Sequence, residues 1–312
     1  MKVLVAYDGS RCSEAALDDL VRAGLPELCD VTVISVAENW LVPPDGPHET
    51  AELSPATGRE GTALRYRQKD QKIIAEAAIL ANHARDRVQR MFPKWQVASD
   101  TAIGSPAGEI LEKAKKCKPD LIVVGAQGRS AINRFFLGSI SQKVLTEAHC
   151  SVRVARGRIE VDPTPMRILL GFDGSNGARS AVDEVAKRPW RDFSEIRLIT
   201  VLEDLTPTTI GRFIPPIAST VERVNQSQRE RMEKLADDAV KTFSSKTISA
   251  TSHILAGNPK DILVEEAQRW NADCIFVGAN AYGNRMERFL LGSTSAAVAA
   301  RAACSVENVR VI

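Results

Sequence analysis

The stretch Lys2-Val-Leu-Val-Ala-Tyr-Asp8-Gly9-Ser10 returns in changed spelling as Arg167-Ile-Leu-Leu-Gly-Phe-Asp173-Gly174-Ser175. Each copy is an apolar run of strand length closed by an Asp-Gly-Ser turn, the pattern of a buried strand that hands over to a helix. A second matched run, Val31-Thr-Val-Ile-Ser-Val36 against Ile196-Arg-Leu-Ile-Thr-Val201, keeps the separation of 165 seen between Asp8 and Asp173. Further on, Gly104-Ser-Pro106 pairs with Gly257-Asn-Pro259, and Leu121-Ile-Val-Val-Gly125 with Cys274-Ile-Phe-Val-Gly278, both 153 apart. The closing Gly138-Ser139 and Gly292-Ser293 stand 154 apart. The chain is one unit written twice, with 12 extra residues after the second strand of the first copy and one extra residue in the glycine loop of the second.

Within each copy, short β-branched runs alternate with helical segments of ten or more residues, which predicts parallel strands joined by right-handed crossover helices. The long helix after Arg67 shows the helical period: Ile73, Ala77, Leu80, Ala84, Val88 and Met91 recur three or four apart and make one apolar stripe. Ser105-Pro106 and Asn258-Pro259 read as N-cap plus first-turn proline. The expected fold is α/β, two tandem Rossmann-like domains, each a five-stranded parallel sheet with four flanking helices. The domains are read as residues 1–156 and 166–312, with 157–165, ending Asp-Pro-Thr-Pro, as linker. The last strands, Ser151 to Ala155 and Ser305 to Val311, are sheet edges expected to pair with each other and make a pseudo-twofold dimer within one chain. Asn39 to Gly61, rich in Pro, Gly and acidic residues, is expected to be a long irregular loop beside a ligand site, of the kind that acts as a lid.

A length of 312 residues with 44% hydrophobic and 26% charged content suits two globular domains. Lys and Arg total 41 against 39 Asp and Glu, and a net charge of +2 supplies no electrostatic footprint for nucleic acid or an anionic membrane. The basic cluster Lys113 to Lys118 falls where a helix should end, and complements its dipole. No apolar run has the length of a membrane span and Met1 leads straight into a strand, so the expected location is the cytoplasm. Cys12, Cys29, Cys117, Cys150, Cys274 and Cys304 form no C-x-x-C pair and are expected as buried thiols. His48, His83, His149 and His253 lie in no metal-binding pattern, so no metal ligands are assigned.

In open α/β sheets ligands sit beyond the carboxyl ends of the strands, where strand order reverses. There the first copy carries Gly125-Ala-Gln-Gly128-Arg-Ser-Ala-Ile-Asn-Arg-Phe-Phe-Leu-Gly138-Ser139. Its three glycines permit left-handed backbone and close approach to a ligand, and Gly138-Ser139 opens a helix whose unpaired N–H groups and dipole favour an anion. The arrangement is a phosphate cradle.

This Gly-x2-Gly-x9-Gly-Ser loop, following a strand that ends in Asp, resembles the ATP-binding class of the universal stress protein family, and the resemblance extends over both copies. It implies ATP, with or without Mg, as the bound nucleotide. By the same resemblance Asp8 is expected near adenine and ribose, with Val36 and the backbone of Ala6 and Tyr7 against the base. Gly125, Gly128, Gly138 and Ser139 are expected around ribose and phosphates, and Ile140 and Ser141 continue the phosphate-facing turn. In the second copy Asp173, Val201, Gly278, Gly292 and Ser293 take the matching places.

Each assignment has a plainer rival. Asp8-Gly9-Ser10 is also an ordinary strand-to-helix turn, Val36 a core strand residue, and Ser139 an N-cap. Arg134 and Arg288 are either phosphate partners or solvated side chains. The chain lacks the G-x-x-x-x-G-K-[ST] and G-x-G-x-x-G fingerprints and the Ser-Gly-Gly-x-Asp-Ser loop of ATP pyrophosphatases, so a binding module acting through nucleotide-dependent contacts is expected rather than an efficient enzyme. Slow ATP hydrolysis, another adenine nucleotide such as a cyclic one, and an empty pocket are the alternatives; further homodimerisation is left open. In the second loop Ala281 stands where Gly128 does and Tyr282 adds bulk before Gly283, so the first site is expected to be the tighter.

Overall fold

The computed structural model describes residues 1–38, 58–128, 137–156, 165–203, 205, 215–243, 247–279 and 291–310, with backbone alone for 58–70 and 215. The first half runs β1 (Lys2–Ala6), α1 (Arg11–Asp19), β2 (Asp30–Ala37), α2 (Gly58–Met91), β3 (Gln96–Ile103), α3 (Pro106–Cys117), β4 (Leu121–Gly125), α4 (Ser139–Glu147) and β5 (Ser151–Ala155). The second repeats it as β6 (Arg167–Gly171), α5 (Asn176–Lys187), β7 (Glu195–Leu202), α6 (Pro215–Lys241), β8 (Ser249–Ala256), α7 (Pro259–Arg269), β9 (Cys274–Gly278), α8 (Ser293–Arg301) and β10 (Ser305–Val309). All ten strands form one sheet in the order β3-β2-β1-β4-β5-β10-β9-β6-β7-β8. Within each half every pairing is parallel; β5 and β10 meet antiparallel, with Arg153 opposite Glu307. The expected pairing of the two last strands is therefore present, and it removes both edges.

Helices cover both faces of the sheet, as the apolar strands require. One face is divided: α1 and α2 close a core around Val5, Leu17 and Val88, and α5 and α6 a second around Leu170, Val182 and Ala236. The opposite core is continuous through the seam, joining α3 and α4 to α7 and α8 by way of Val152, Val154 and Val306. The apolar stripe of α2 is seated as the period predicts, with Ala77, Ala84 and Val88 buried. Lys113 pairs with Asp100 at 2.6 Å and Lys118 ends α3 in a left-handed conformation, so the basic cluster serves the helix end.

Three expectations need correction. The irregular segment read as Asn39 to Gly61 is shorter, because α2 begins at Gly58 and no proline in 58–61 prevents its helix from extending past the apolar stripe. Ser105 occupies the cap position of α3 without a side-chain bond, whereas Asn258 accepts the Lys260 amide at 2.9 Å. Only Cys29, Cys150 and Cys274 are buried, while Cys12, Cys117 and Cys304 are partly exposed. The expected lid (39–57) and the linker except Pro165 lie outside the described residues, as does His48.

Candidate functional site

The strand order reverses between β1 and β4, and again between β6 and β9, so each half has its crevice at those carboxyl ends. Leaving β1, the chain turns at Gly9 with φ +75, and at Gly174 with φ +76 in the second half, where a side chain would be strained. Asp8 Oδ1 accepts the Ser10 amide at 2.9 Å and Ser10 Oγ accepts the Ser13 amide at 3.2 Å; Asp173 and Ser175 repeat both bonds. These are the bonds of the ordinary strand-to-helix turn that the plainer reading expects. The other Asp8 oxygen, Oδ2, faces Gly128: a Cβ built there would stand 3.5 Å from it.

Beyond β4 the backbone doubles back. The Gly138 amide donates to Ala126 O at 2.8 Å, and a Cβ on Gly138 would lie 3.3 Å from Gln127 Cα and 3.6 Å from the Gly128 nitrogen. Asp8, Gly128 and the start of α4 are therefore neighbours. The first bond of α4 runs from Gln142 N to Gly138 O, which leaves the Ser139, Ile140 and Ser141 amides without an intrahelical acceptor. Such donors and the dipole behind them attract an anion.

Several expected roles are revised. None of Gly125, Gly128 and Gly138 has a positive φ, and Gly138 sits at φ −64, so close contact rather than left-handed backbone favours glycine at 125 and 138, whereas a Cβ on Gly128 meets Asp8 Oδ2 only at 3.5 Å. Gly125 answers to α1: its Cβ would fall 2.7 Å from the carbonyl carbon and oxygen of Cys12, and one on Gly278 would come 2.3 Å from Gly177 C. Gly138, not Ser139, is the N-cap of α4; Ser139 is the first helical residue, as Ser293 follows Gly292 in α8. The Ser141 hydroxyl is buried and donates to Gly125 O at 2.6 Å, tethering the helix to the end of β4 and leaving only the Ser141 amide to the helix start, and Ser295 does the same to Gly278 O. The Tyr7 amide donates to Ile34 O at 2.9 Å and its carbonyl accepts from Ser35 Oγ at 2.7 Å, so sheet contacts already engage both backbone groups.

Ala6, Val36 and Ile140 are partly buried and pack on the continuous core at this end of the sheet, joined by Ala102 and Leu137. Together they make an apolar rim beside Asp8; Val201, Leu255 and Leu291 repeat it. The sequence reading missed Ala102 and Leu137, whose signal was their position at the end of β3 and directly before Gly138. Arg134, Arg288, Ala281, Tyr282 and Gly283 lie outside the described residues, so the two loops are compared in sequence alone.

The sequence reading also missed two arginines that cross the seam. Arg310 Nη2 donates to Leu145 O at 2.8 Å and Thr146 O at 3.2 Å, and Arg156, its counterpart 154 residues earlier, donates to Ala300 O at 3.2 Å. Each thus caps the carboxyl end of the other half's last helix, the helix that begins at the candidate anion site. A separate cavity of about 150 Å³ at the seam is lined by Asp19, Arg22, Arg156, Asn271, Asp273 and Cys304. Asp19 and Asp273 are already paired, with Arg153 and Arg22 at 2.5 Å each, so this cavity is not the one that the strand ends point to.

The universal stress protein family profile matches residues 1–156 and 165–310. A universal stress protein of Methanocaldococcus jannaschii is 42% identical over 72 residues, 22% of this chain and 42% of its own length, so the chain spans less than half of that relative. A universal stress protein of Mycolicibacterium smegmatis is 26% identical over 99% of this chain and 96% of its own. Among solved structures, a universal stress protein from Archaeoglobus fulgidus superposes with a TM-score of 0.56 at 21% identity, over 99% of this chain and 96% of that one, which is a likeness of fold. With both halves matched by the profile and the doubled fold in place, the chain belongs to the universal stress protein family and carries two of its domains in tandem.

Proposed function

We propose that the first half binds ATP and that the chain acts as a nucleotide-responsive binding module. The observation that carries the reading is the placement of Gly128, where a Cβ would stand 3.5 Å from Asp8 Oδ2 and whose nitrogen lies 3.6 Å from a Cβ built on Gly138, the cap of α4. An adenine nucleotide asks for three things in sequence: an apolar surface for the base, an acceptor for ribose hydroxyls, and donors for phosphate oxygens. Ala6, Val36 and Ile140 supply the first, Asp8 Oδ2 the second, and the amides of Ser139, Ile140 and Ser141 the third. Mg, where present, would come with the phosphates of the nucleotide. Efficient hydrolysis asks for a lysine on the phosphates and a positioned base, and the glycine loop contains neither a lysine nor an acidic residue.

The second half keeps Asp173, Val201, Gly278, Gly292 and Ser293 but carries the longer loop with Ala281 and Tyr282, so its site is the weaker. Isothermal titration with ATP, ADP and cyclic AMP, alongside mass spectrometry of nucleotide released from denatured protein, tests the reading. Binding of none of them would overturn it.

A further inference from the structure

Two opposite charges meet, fully buried, at the seam between the halves, each also paired within its own half. Arg153 and Glu307 are both 0% exposed and stand opposite each other in the β5–β10 pair. Arg153 Nη1 donates to Glu307 Oε2 at 3.2 Å; the same guanidinium bonds Asp19 through Nε at 2.5 Å. Arg188 donates to Glu307 Oε2 at 2.9 Å through Nη1, and also to Glu307 Oε1 and to the Ala23 carbonyl at 2.7 Å. Ser305 donates to Asp19 Oδ1 at 2.8 Å. Arg153 and Arg188 both stack over Phe276, 6.0 and 5.0 Å from its centroid.

The repeat gives this cluster a meaning. Val306 faces Val154 and Asn308 faces Val152, and residues of the last strands correspond at a separation of 154, so Arg153 and Glu307 are equivalent positions on the pseudo-twofold axis. If two first halves paired through β5, Arg153 would face Arg153, each with its own Asp19 but without Glu307; two second halves pairing through β10 would set Glu307 against Glu307, each with its own Arg188 but without Arg153. Size follows the same division. Arg188 corresponds to Ala23 at a separation of 165, and the second half's Arg188 reaches over Ala23 while its Trp190 covers Gly24, where a Cβ would come 2.7 Å from the ring. Two first halves would oppose Ala23 and Gly24 to themselves and leave a void, and two second halves would crowd two Arg188 side chains into one space. By contrast Arg156 and Arg310, or Ser151 and Ser305, are identical across the axis and discriminate nothing.

We propose that the Arg153–Glu307 pair and the Arg188–Ala23 contact make the seam selective for an unlike partner, so that the first half of this chain docks on the second half and rejects a copy of itself. A buried like-charge contact excludes a wrong partner more strongly than a matched pair rewards the right one. Selectivity of this kind closes the interface that a single-domain chain would offer to a second copy, and commits each β5 to a β10.

The test starts from the folded full-length chain carrying a protease site within residues 157–164. After cleavage the protein is incubated, and native mass spectrometry counts unlike and like pairs of the two halves. The wild type should give fewer than about one like pair per hundred unlike ones. Arg153→Met, which removes the axial repulsion of the first half alone, should raise first-half pairs at least about tenfold without producing second-half pairs. Arg153→Lys, which keeps the charge and loses the fork geometry, should stay near the wild-type distribution. Statistical mixing in the wild type, no gain of first-half pairs in Arg153→Met, or equal gains in the Lys and Met variants would each overturn the proposal.

Discussion

Replacing Asn308 by valine should stabilise the protein. Asn308 is 0% exposed in β10, between Val152 of β5 and Val277 of β9 on the face that carries the continuous core. Both polar atoms of its side chain, Oδ1 and Nδ2, lack a hydrogen-bond partner among the described residues. A buried polar group left unpaired costs about 1–3 kcal/mol, and the position equivalent to Asn308 in the first half is already valine, Val154. Valine adds a β-branched side chain suited to a strand, so the expected gain is about 1–3 kcal/mol, or roughly 2–4 °C in Tm for each kcal/mol. Denaturant unfolding measures it as a higher midpoint at unchanged slope. The reverse change, Val154→Asn, should lose a similar amount. A lower midpoint for Asn308→Val, or an unaltered one for Val154→Asn, would refute the reasoning that an amide at this position is unsatisfied.

Gly125→Ala should cost about 1–3 kcal/mol, because its Cβ meets the Cys12 backbone at 2.7 Å, while Gly128→Ala, 3.5 Å from its nearest neighbour among the described residues, should leave stability within about 0.5 kcal/mol; equal costs would count against a packing demand particular to Gly125. Arg310→Ala removes charged donors from Leu145 O and Thr146 O and should lower stability by about 1.5–3 kcal/mol, with hydrogen exchange rising first in the last turn of α4; uniform exchange would speak against a helix-capping role. Burial pushes the thiols of Cys150 and Cys274 from 9.0 up to about 12, so the unfolded chain ionises first and stability falls as pH rises from about 9 towards 12, by up to about 1.4 kcal/mol per pH unit per thiol; Cys150→Ala should remove one such contribution from the measured slope, and an unchanged slope would contradict it.

The doubled strand-turn motif made the architecture readable, because a repeat fixes which segments are equivalent before any contact is known. Alternation of β-branched runs with helical periods then limits the connections to right-handed crossovers, and the unpaired ends of β5 and β10 point to each other. Local signals served less well where packing decides. Gly125 reads as a ligand glycine, and the structure adds a packing demand for glycine there that the sequence does not reveal, the first turn of α1 resting on it. The Ser141 hydroxyl had no sequence signal for its part as a buried tether on Gly125 O, which appears only once α4 is seated against the end of β4. The seam charges had a visible signal, Arg153 and Glu307 at the centre of otherwise apolar strands, which becomes interpretable only once the antiparallel register sets them face to face.

The central claim is nucleotide binding at the first half, and the most direct measurement is calorimetric titration of ATP into the wild type and Gly128→Val. The account predicts close to one tight site per wild-type chain and loss of that site in the variant at an unchanged unfolding midpoint. The reason is that a side chain at 128 crowds Asp8 Oδ2, the proposed ribose acceptor, while its Cβ has no other contact within 4 Å among the described residues. No heat of ATP binding in the wild type, or full affinity retained by Gly128→Val, would contradict it.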